Sequence, residues 1–375
     1  MQYRQFGKLD FKISSLGFGC MRFPTEDGKI KEEEAINLVR YAIDNGVNYI
    51  DTAYPYHEGN SEPLVAKVLR DGYREKVKLA TKSPVWLVEK YEDFDKYLNE
   101  QLKKLDTDYI DMYLLHALDK KRWEILKSLN VFKFLESALK DGRIKYAGFS
   151  FHDDIDTFKE IVDSYDWSFC QIQYNYLDEY YQAGLEGLKY AYDKGLAVIV
   201  MEPLKGGKLA QTPPKVINEL WNQCQIKRTP VQWALKWLWN QPEVSLVLSG
   251  MSNIEQVIDN IKTAEESTIN SLTKSELDLI DLVKNKYKEL TKVNCTACGY
   301  CMPCPVGVNI PKNFSLLNDA FMYNSLSSCH EAYSSLKEES KASSCVECGK
   351  CEEVCPQHID IRNMLKEVHK TLNSI

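Results

Sequence analysis

The sequence predicts a (β/α)8 TIM barrel followed by a small, mainly helical module built on two runs of cysteine. Two observations carry this. From about residue 15 to 265, short β-branched runs alternate with longer amphipathic ones, and eight strands with helical crossovers in about 250 residues are what a barrel needs. Eight of the twelve cysteines then crowd into two short runs, 295–304 and 345–355. At 375 residues the chain has room for both parts.

Residues 1–14 precede the first strand, and Gly7 splits them into two partly alternating runs, which reads as a hairpin capping the bottom of the barrel. The candidate strands are 16–20, 47–50, 77–80, 109–115, 144–149, 169–173, 196–201 and 244–248. Helical patterns between them include 31–44, 94–104 and 123–139. Gly46, Gly142 and Gly195 stand just past helix ends, where a left-handed residue is needed. The rival is an open doubly wound sheet. It would prefer a glycine-rich first turn, but Gly17-Phe18-Gly19 does not continue as G-x-G-x-x-G.

After the barrel, Thr273 and Glu276 open a run of leucines and isoleucine at helical spacing over 273–290. The division is therefore a barrel with its hairpin over 1–272, a helical linker over 273–292, and a cysteine-rich module over 293–375. A formal net charge of −7 argues against a nucleic-acid partner. The sequence has neither a signal-peptide pattern at its start nor an apolar run long enough to span a membrane, so a cytoplasmic protein with no membrane partner is expected.

The cysteine runs are Cys295-x2-Cys298-x2-Cys301-x2-Cys304-Pro305 and Cys345-x2-Cys348-x2-Cys351-x3-Cys355-Pro356. Three thiolates at every third residue, with a fourth just before proline, suit a cubane [4Fe-4S] cluster, and two such clusters are expected. A pair of zinc sites is the main alternative, although zinc usually takes paired C-x2-C hooks. Disulfides do not suit a reducing compartment. Cys20, Cys170, Cys224 and Cys329 are isolated and read as small buried hydrophobes. The forty residues between the runs (305–344) are helical in pattern around 314–323 and 330–339, unlike the short strand-bearing link of a small ferredoxin.

Catalytic groups of such barrels follow the strands at their C-terminal ends. There stand Asp51 and Tyr56 after the second strand, Lys82 after the third and His116 after the fourth. The set suits carbonyl reduction. Tyr56 would donate a proton to the developing alkoxide. A free phenol is a poor acid at neutral pH, so a cation is needed to depress its pKa. Lys82 supplies that charge, Asp51 holds Lys82, and His116 binds the substrate oxygen. Each residue alone has an ordinary reading as a cap, a solvated charge or a packing group. Four together at adjacent strand ends point to a site.

At these residues the sequence resembles the aldo/keto reductase family over roughly 1–265. The match runs through Gly17-Phe18-Gly19, Asp51-Thr52-Ala53-Tyr54-Pro55-Tyr56, Gly59-Asn60-Ser61-Glu62, Thr81-Lys82, Asp111 to His116, Gly148-Phe149-Ser150, Gln173-Tyr174-Asn175 and Pro203 to Gly207. The resemblance implies Asp51, Tyr56, Lys82 and His116 as a catalytic tetrad. It also implies Ser150, Gln173 and Asn175 near a nicotinamide. With its cysteine-rich end, the chain looks like the subgroup of that family that carries a C-terminal ferredoxin-like domain.

Met201 stands where the family usually stacks an aromatic residue on the nicotinamide. The loop Leu204–Leu209 should cover the pyrophosphate, with Gly206 and Gly207 allowing close approach and Lys205 and Lys208 offering charge. An ordinary barrel turn is its alternative reading. Where NADP-preferring relatives carry cations, this chain has Gly250 and Gln256, within a region that also holds Ser252 and Asn260. NAD(H) or NADP(H) is the expected coenzyme, with NADPH selectivity weakened. FMN is a competing cofactor: its phosphate could use Gly206, Gly207 and Ser252, and a flavin moves electrons one or two at a time.

If the tail follows two-cluster ferredoxins, the fourth cysteine of each run crosses over. Cys295, Cys298, Cys301 and Cys355 would hold one cluster, and Cys345, Cys348, Cys351 and Cys304 the other. The shortened spacing before Cys304 leaves a single complete cluster as an alternative. The leading reading is an oxidoreductase acting on a small carbonyl or alcohol, with clusters that exchange electrons with a ferredoxin or another redox protein. The alternatives are purely structural clusters and a non-catalytic redox-sensing subunit.

Overall fold

The structure is a computed structural model that describes residues 1–373. An antiparallel hairpin, β1 (Tyr3–Gln5) with β2 (Lys12–Ser14), opens the chain. The first barrel strand is β3 (Leu16–Gly19), and a small hairpin, β4 (Thr25–Glu26) with β5 (Lys29–Ile30), follows it. The other barrel strands are β6 (Tyr49–Asp51), β7 (Lys78–Ser83), β8 (Ile110–Leu118), β9 (Ile144–Phe151), β10 (Phe169–Gln173), β11 (Ala197–Met201) and β12 (Val244–Ser249). They run parallel in sequence order, and β12 pairs back onto β3 to close the ring.

Each predicted strand overlaps one of these. β7 and β8 each run three residues beyond their expected ends, and β8 continues past His116 to Leu118. Its register against β9 shifts between Leu115 and Leu118, and Ala117 takes a left-handed φ of 53°. An irregularity of this kind re-aims a side chain at the rim of a sheet. His116 lies inside it.

The crossover helices are α1 (Glu32–Asp44), α2 (Ser61–Val68), α3 (Tyr91–Lys104), α4 (Lys120–Ser128), α5 (Val131–Lys140), α6 (Ile155–Asp163), α7 (Gly184–Asp193), α8 (Lys215–Trp221), α9 (Pro230–Trp239) and α10 (Ile254–Glu265). The single helix expected over 123–139 is two. Asn130, with φ 59° and ψ 43°, breaks it, because asparagine visits the left-handed region at little cost. The aliphatic run on either side hides that break.

Apolar side chains alternate inward and form the barrel interior, among them Tyr49, Met112, Leu114, Ile199 and Leu246. Phe6 of the N-terminal hairpin packs among them. Gly7 makes this docking feasible: its φ is +55°, and an added Cβ would lie 2.5 Å from the backbone nitrogen of Ala197. The core closes the bottom. Polar groups are left for the other end.

The chain separates into two compact units, residues 1–206 with 232–273, and residues 207–231 with 274–375. The second holds α8, α11 (Lys274–Glu289), α12 (Ile310–Met322), α13 (Leu326–Ser334), α14 (Lys350–Glu353) and α15 (Ile361–Leu372). Its described residues form no strand, in line with the helical reading. Helix α15 buries Ile361, Leu365, Val368 and Leu372, a stripe of helical period. That stripe packs with Val308, Phe314, Leu317 and Tyr333 in a core of its own. Among the described residues no helix is long and apolar enough to cross a membrane.

Candidate active site

Four polar side chains meet at the C-terminal ends of β6, β7 and β8. Asp51 is the last residue of β6, Lys82 the penultimate residue of β7, and His116 sits in the irregular end of β8. Tyr56 begins the turn after β6, where His57 and Glu58 both adopt left-handed φ (52° and 56°). The Lys82 ammonium donates to Asp51 Oδ1 at 2.6 Å, to the Thr52 carbonyl at 2.8 Å and to the Tyr56 hydroxyl at 3.3 Å. The rings of Tyr56 and His116 meet edge to face at 6.2 Å. The structure brings together all four residues expected of the tetrad.

Burial alone would lower the Lys82 pKa, but Asp51 and Tyr56 outweigh it and hold the ammonium above its ordinary value. Burial pushes the Tyr56 phenol up, and Lys82 opposes the rise. This refines the sequence expectation. In this dry site the cation limits an upward shift; it does not produce a net downward one. Burial, then the charge of Lys82, pushes His116 well below the usual histidine range. Its imidazole is therefore neutral at physiological pH, and Nδ1 is buried with no partner among the described residues.

The depressed His116 has a consequence for stability. The unfolded chain takes up its proton near pH 6.5 and the folded chain only further down. The stability contribution is complete above about pH 6.5 and declines as pH falls below it. His116→Asn is expected to flatten this decline, measured as the melting temperature between pH 7.5 and 5.5.

The residues expected around a coenzyme are distributed as follows. Ser150 is buried, and its Oγ accepts from the Ala117 amide at 2.7 Å. Asn175 donates to Asp178 and to the Glu202 carbonyl, both at 3.2 Å, and Gln173 approaches Asp178 at 3.5 Å. Met201 ends β11, and the next residues lead through Leu204 to Gly206 and Gly207, with φ of 67° and 93°. Lys205 is paired with Asp178 at 2.5 Å. Lys208 belongs to the second unit and is paired there with Asp319 of α12 at 2.7 Å. Both lysines expected to offer free charge are thus engaged by carboxylates. Gln256 accepts from the Ser252 amide at 2.9 Å, and buried Asn260 donates to Ser249 Oγ at 3.1 Å.

In the second unit the eight cysteines line two cavities. One is bordered by Cys295, Cys298, Cys301 and Cys355. The other is bordered by Cys304, Cys345, Cys348 and Cys351, with Cys301 also reaching its wall. The fourth cysteine of each run therefore faces the other run's cavity. Both runs share one backbone pattern: left-handed residues at Ala297 and Gly299 in the first, at Glu347 and Gly349 in the second. In each, the left-handed non-glycine residue donates its amide to the sulfur two residues earlier, at 3.4 Å. Among the described residues no three His, Cys, Asp or Glu side chains converge as a single metal ion requires. Four thiols around a cavity, with amides aimed at sulfur, fit a cubane cluster.

The model of the aldo/keto reductase family matches residues 15–284. The chain belongs to the aldo/keto reductase family. A 4Fe-4S dicluster domain matches residues 294–359, so the reductase carries a module of a kind that holds two clusters. It is 29% identical over 297 residues to an uncharacterized oxidoreductase of Bacillus subtilis, covering 70% of this chain and 91% of the relative. It is 28% identical over 302 residues to the NADH-specific methylglyoxal reductase of Escherichia coli, covering 68% and 91%. Among solved structures it resembles the holo form of an aldo-keto reductase from Bacillus halodurans, with a TM-score of 0.64, 28% identity, and coverage of 76% of this chain and 96% of that one.

Two residues of the reductase escaped the sequence reading. Gln171 is buried on β10, donates to Met201 Sδ at 3.5 Å, and leaves Oε1 without a partner among the described residues. It shares a strand face with Gln173, two residues on. The family resemblance pointed to Gln173 on this strand and passed over Gln171. Arg22 lies across Gly250: a Cβ on that glycine would sit 3.2 Å from three carbons of the arginine stem. Its guanidinium is 3.6 Å from where a Gly206 Cβ would be, near the Glu202 carboxylate. Only folding brings position 22 beside position 250, so no local pattern announces it.

Proposed function

We propose that the barrel of this reductase interconverts a small carbonyl compound and its alcohol by hydride transfer, with Tyr56 as general acid and base. The single observation that carries the reading is the Asp51–Lys82–Tyr56 chain of contacts at 2.6 and 3.3 Å. A bound nicotinamide dinucleotide would supply the hydride. Tyr56 gives its proton to the carbonyl oxygen as negative charge builds there, and solvent later restores that proton. Lys82, kept cationic by Asp51, stabilises the phenolate left behind. The free Nδ1 of neutral His116 is the group available to orient the substrate oxygen.

Gln171 and Met201 are the side chains proposed to meet the nicotinamide, one through its unpartnered amide oxygen and one through its sulfur. With Lys205 and Lys208 engaged, Arg22 is the cation proposed to face the coenzyme's diphosphate. Gly250 and Gln256 leave the family's 2′-phosphate positions uncharged, which fits NADH better than NADPH; the Escherichia coli relative is described as NADH-specific. Arg22→Gln is expected to weaken NADH and NADPH binding alike, by about 10-fold or more, in a fluorescence titration.

The second unit is proposed to hold two [4Fe-4S] clusters with crossed ligands, exchanging single electrons with a redox protein. The test is the absorbance spectrum of anaerobically purified protein together with carbonyl-dependent oxidation of NADH. A broad band near 400 nm and NADH-linked turnover are expected. Structured flavin bands, or no turnover of any carbonyl with either nicotinamide coenzyme, would overturn the reading.

A further inference from the structure

Behind the tetrad lies a second, fully buried polar cluster that the proposed chemistry does not use. Its centre is Gln101 of α3, which is 0% exposed. The Gln101 amide nitrogen donates to Glu62 Oε1 at 2.6 Å, to the Lys82 carbonyl at 3.0 Å and to Thr81 Oγ1 at 3.2 Å. Its amide oxygen accepts from the Tyr113 hydroxyl at 3.0 Å. Thr81 also donates to Glu62 Oε1, at 2.7 Å. Glu62 is itself 0% exposed, and its second oxygen has no partner among the described residues.

The partners of Gln101 fall on three different elements, and each carries or adjoins one tetrad residue. Glu62 lies at the start of α2, six residues after Tyr56. Thr81 and Lys82 are on β7. Tyr113 is on β8, three residues before His116. The start of α2 is also tied to β6, because Thr52 and Ser61 hydroxyls meet at 2.8 Å. Lys82 is therefore held at both ends: its ammonium by Asp51 and Thr52, its carbonyl by Gln101. A buried polar group is costly unless satisfied, and packing alone would fill this space with an apolar residue. The cluster has what a rigid support for a catalytic constellation needs, partners that lock one another across several elements.

We infer that Gln101, with Glu62, is a positioning residue that fixes the relative placement of Lys82, Tyr56 and His116. It touches neither substrate nor coenzyme. The inference rests on the tetrad reading above. Because reacting groups lose rate steeply with a displacement of about 1 Å, a loss of this support shows in kcat and not in coenzyme affinity.

The experiment compares wild-type holoenzyme with Tyr56→Phe, Gln101→Leu and Tyr113→Phe. Turnover is expressed per coenzyme-binding site, counted by NADH titration, so that unfolded protein does not enter the rate. Gln101→Leu is expected to lower kcat by about 10-fold or more with the NADH Kd within about twofold. Tyr113→Phe removes one hydroxyl and keeps the packing, and is expected to lower kcat several-fold, which serves if Gln101→Leu does not fold. A purely structural role predicts lower melting temperatures with kcat per site unchanged in both variants, and that result overturns the inference. If Tyr56→Phe itself keeps full turnover, the tetrad reading has failed. If Tyr56→Phe is inactive and the other two retain wild-type kcat per site, the positioning role alone has failed.

Discussion

Tyr56→Phe is expected to reduce carbonyl turnover by about 10²-fold or more while leaving coenzyme binding intact. The substitution deletes one oxygen from a half-buried ring whose hydroxyl accepts from Lys82 at 3.3 Å. Phenylalanine keeps the edge-to-face contact with His116, so the loss reports the missing proton and not a collapsed site. Lys82→Met is a poorer probe of the same idea. It would leave Asp51 as a buried carboxylate without the partner now 2.6 Å away, and breaking such a pair costs about 3–5 kcal/mol. A fall in activity would then mix lost chemistry with lost fold. Steady-state kinetics of Tyr56→Phe beside an NADH titration separates the two.

The second large effect concerns the wiring of the clusters. Alanine at any one of the eight run cysteines is expected to lower the iron content from about eight to about four per chain. Single variants do not tell crossed from uncrossed ligation, but pairs do. In the arrangement seen here Cys298 and Cys355 border the same cavity, although they come from different runs. The double variant Cys298→Ala with Cys355→Ala is therefore expected to keep about four irons, the same as either single variant. If each run held its own cluster, that double variant would damage both and retain none. Cys304 with Cys348, which share the other cavity, gives the reciprocal test and checks the shortened spacing before Cys304.

The parts legible in the sequence were those whose chemistry is local. Three thiolates in register before a proline, a carboxylate at a strand end, and a Thr-Lys pair after an apolar run each carry their meaning within a few residues. The eight strands were legible for the same reason, through their apolar runs. What stayed hidden depends on residues distant in the chain. Arg22 becomes a candidate coenzyme contact only because β3 and β12 are neighbours and Gly250 leaves room for its stem. Lys208 resembled a free cation until α12 placed Asp319 beside it. The rise in the Tyr56 pKa comes from burial, which a sequence does not display. The break at Asn130 was missed because helical periodicity resumes directly after it.

The central claim is that this barrel, with an iron–sulfur module on the same chain, carries out hydride transfer governed by Tyr56. Its most direct test is a turnover with nicotinamide deuterated at C4, read by mass spectrometry of the alcohol formed by the anaerobic holoenzyme. The account predicts one deuterium on the new carbinol carbon, and product lower by about 10²-fold or more from Tyr56→Phe in the same time. Product without deuterium, or equal deuterium transfer by Tyr56→Phe, would contradict it.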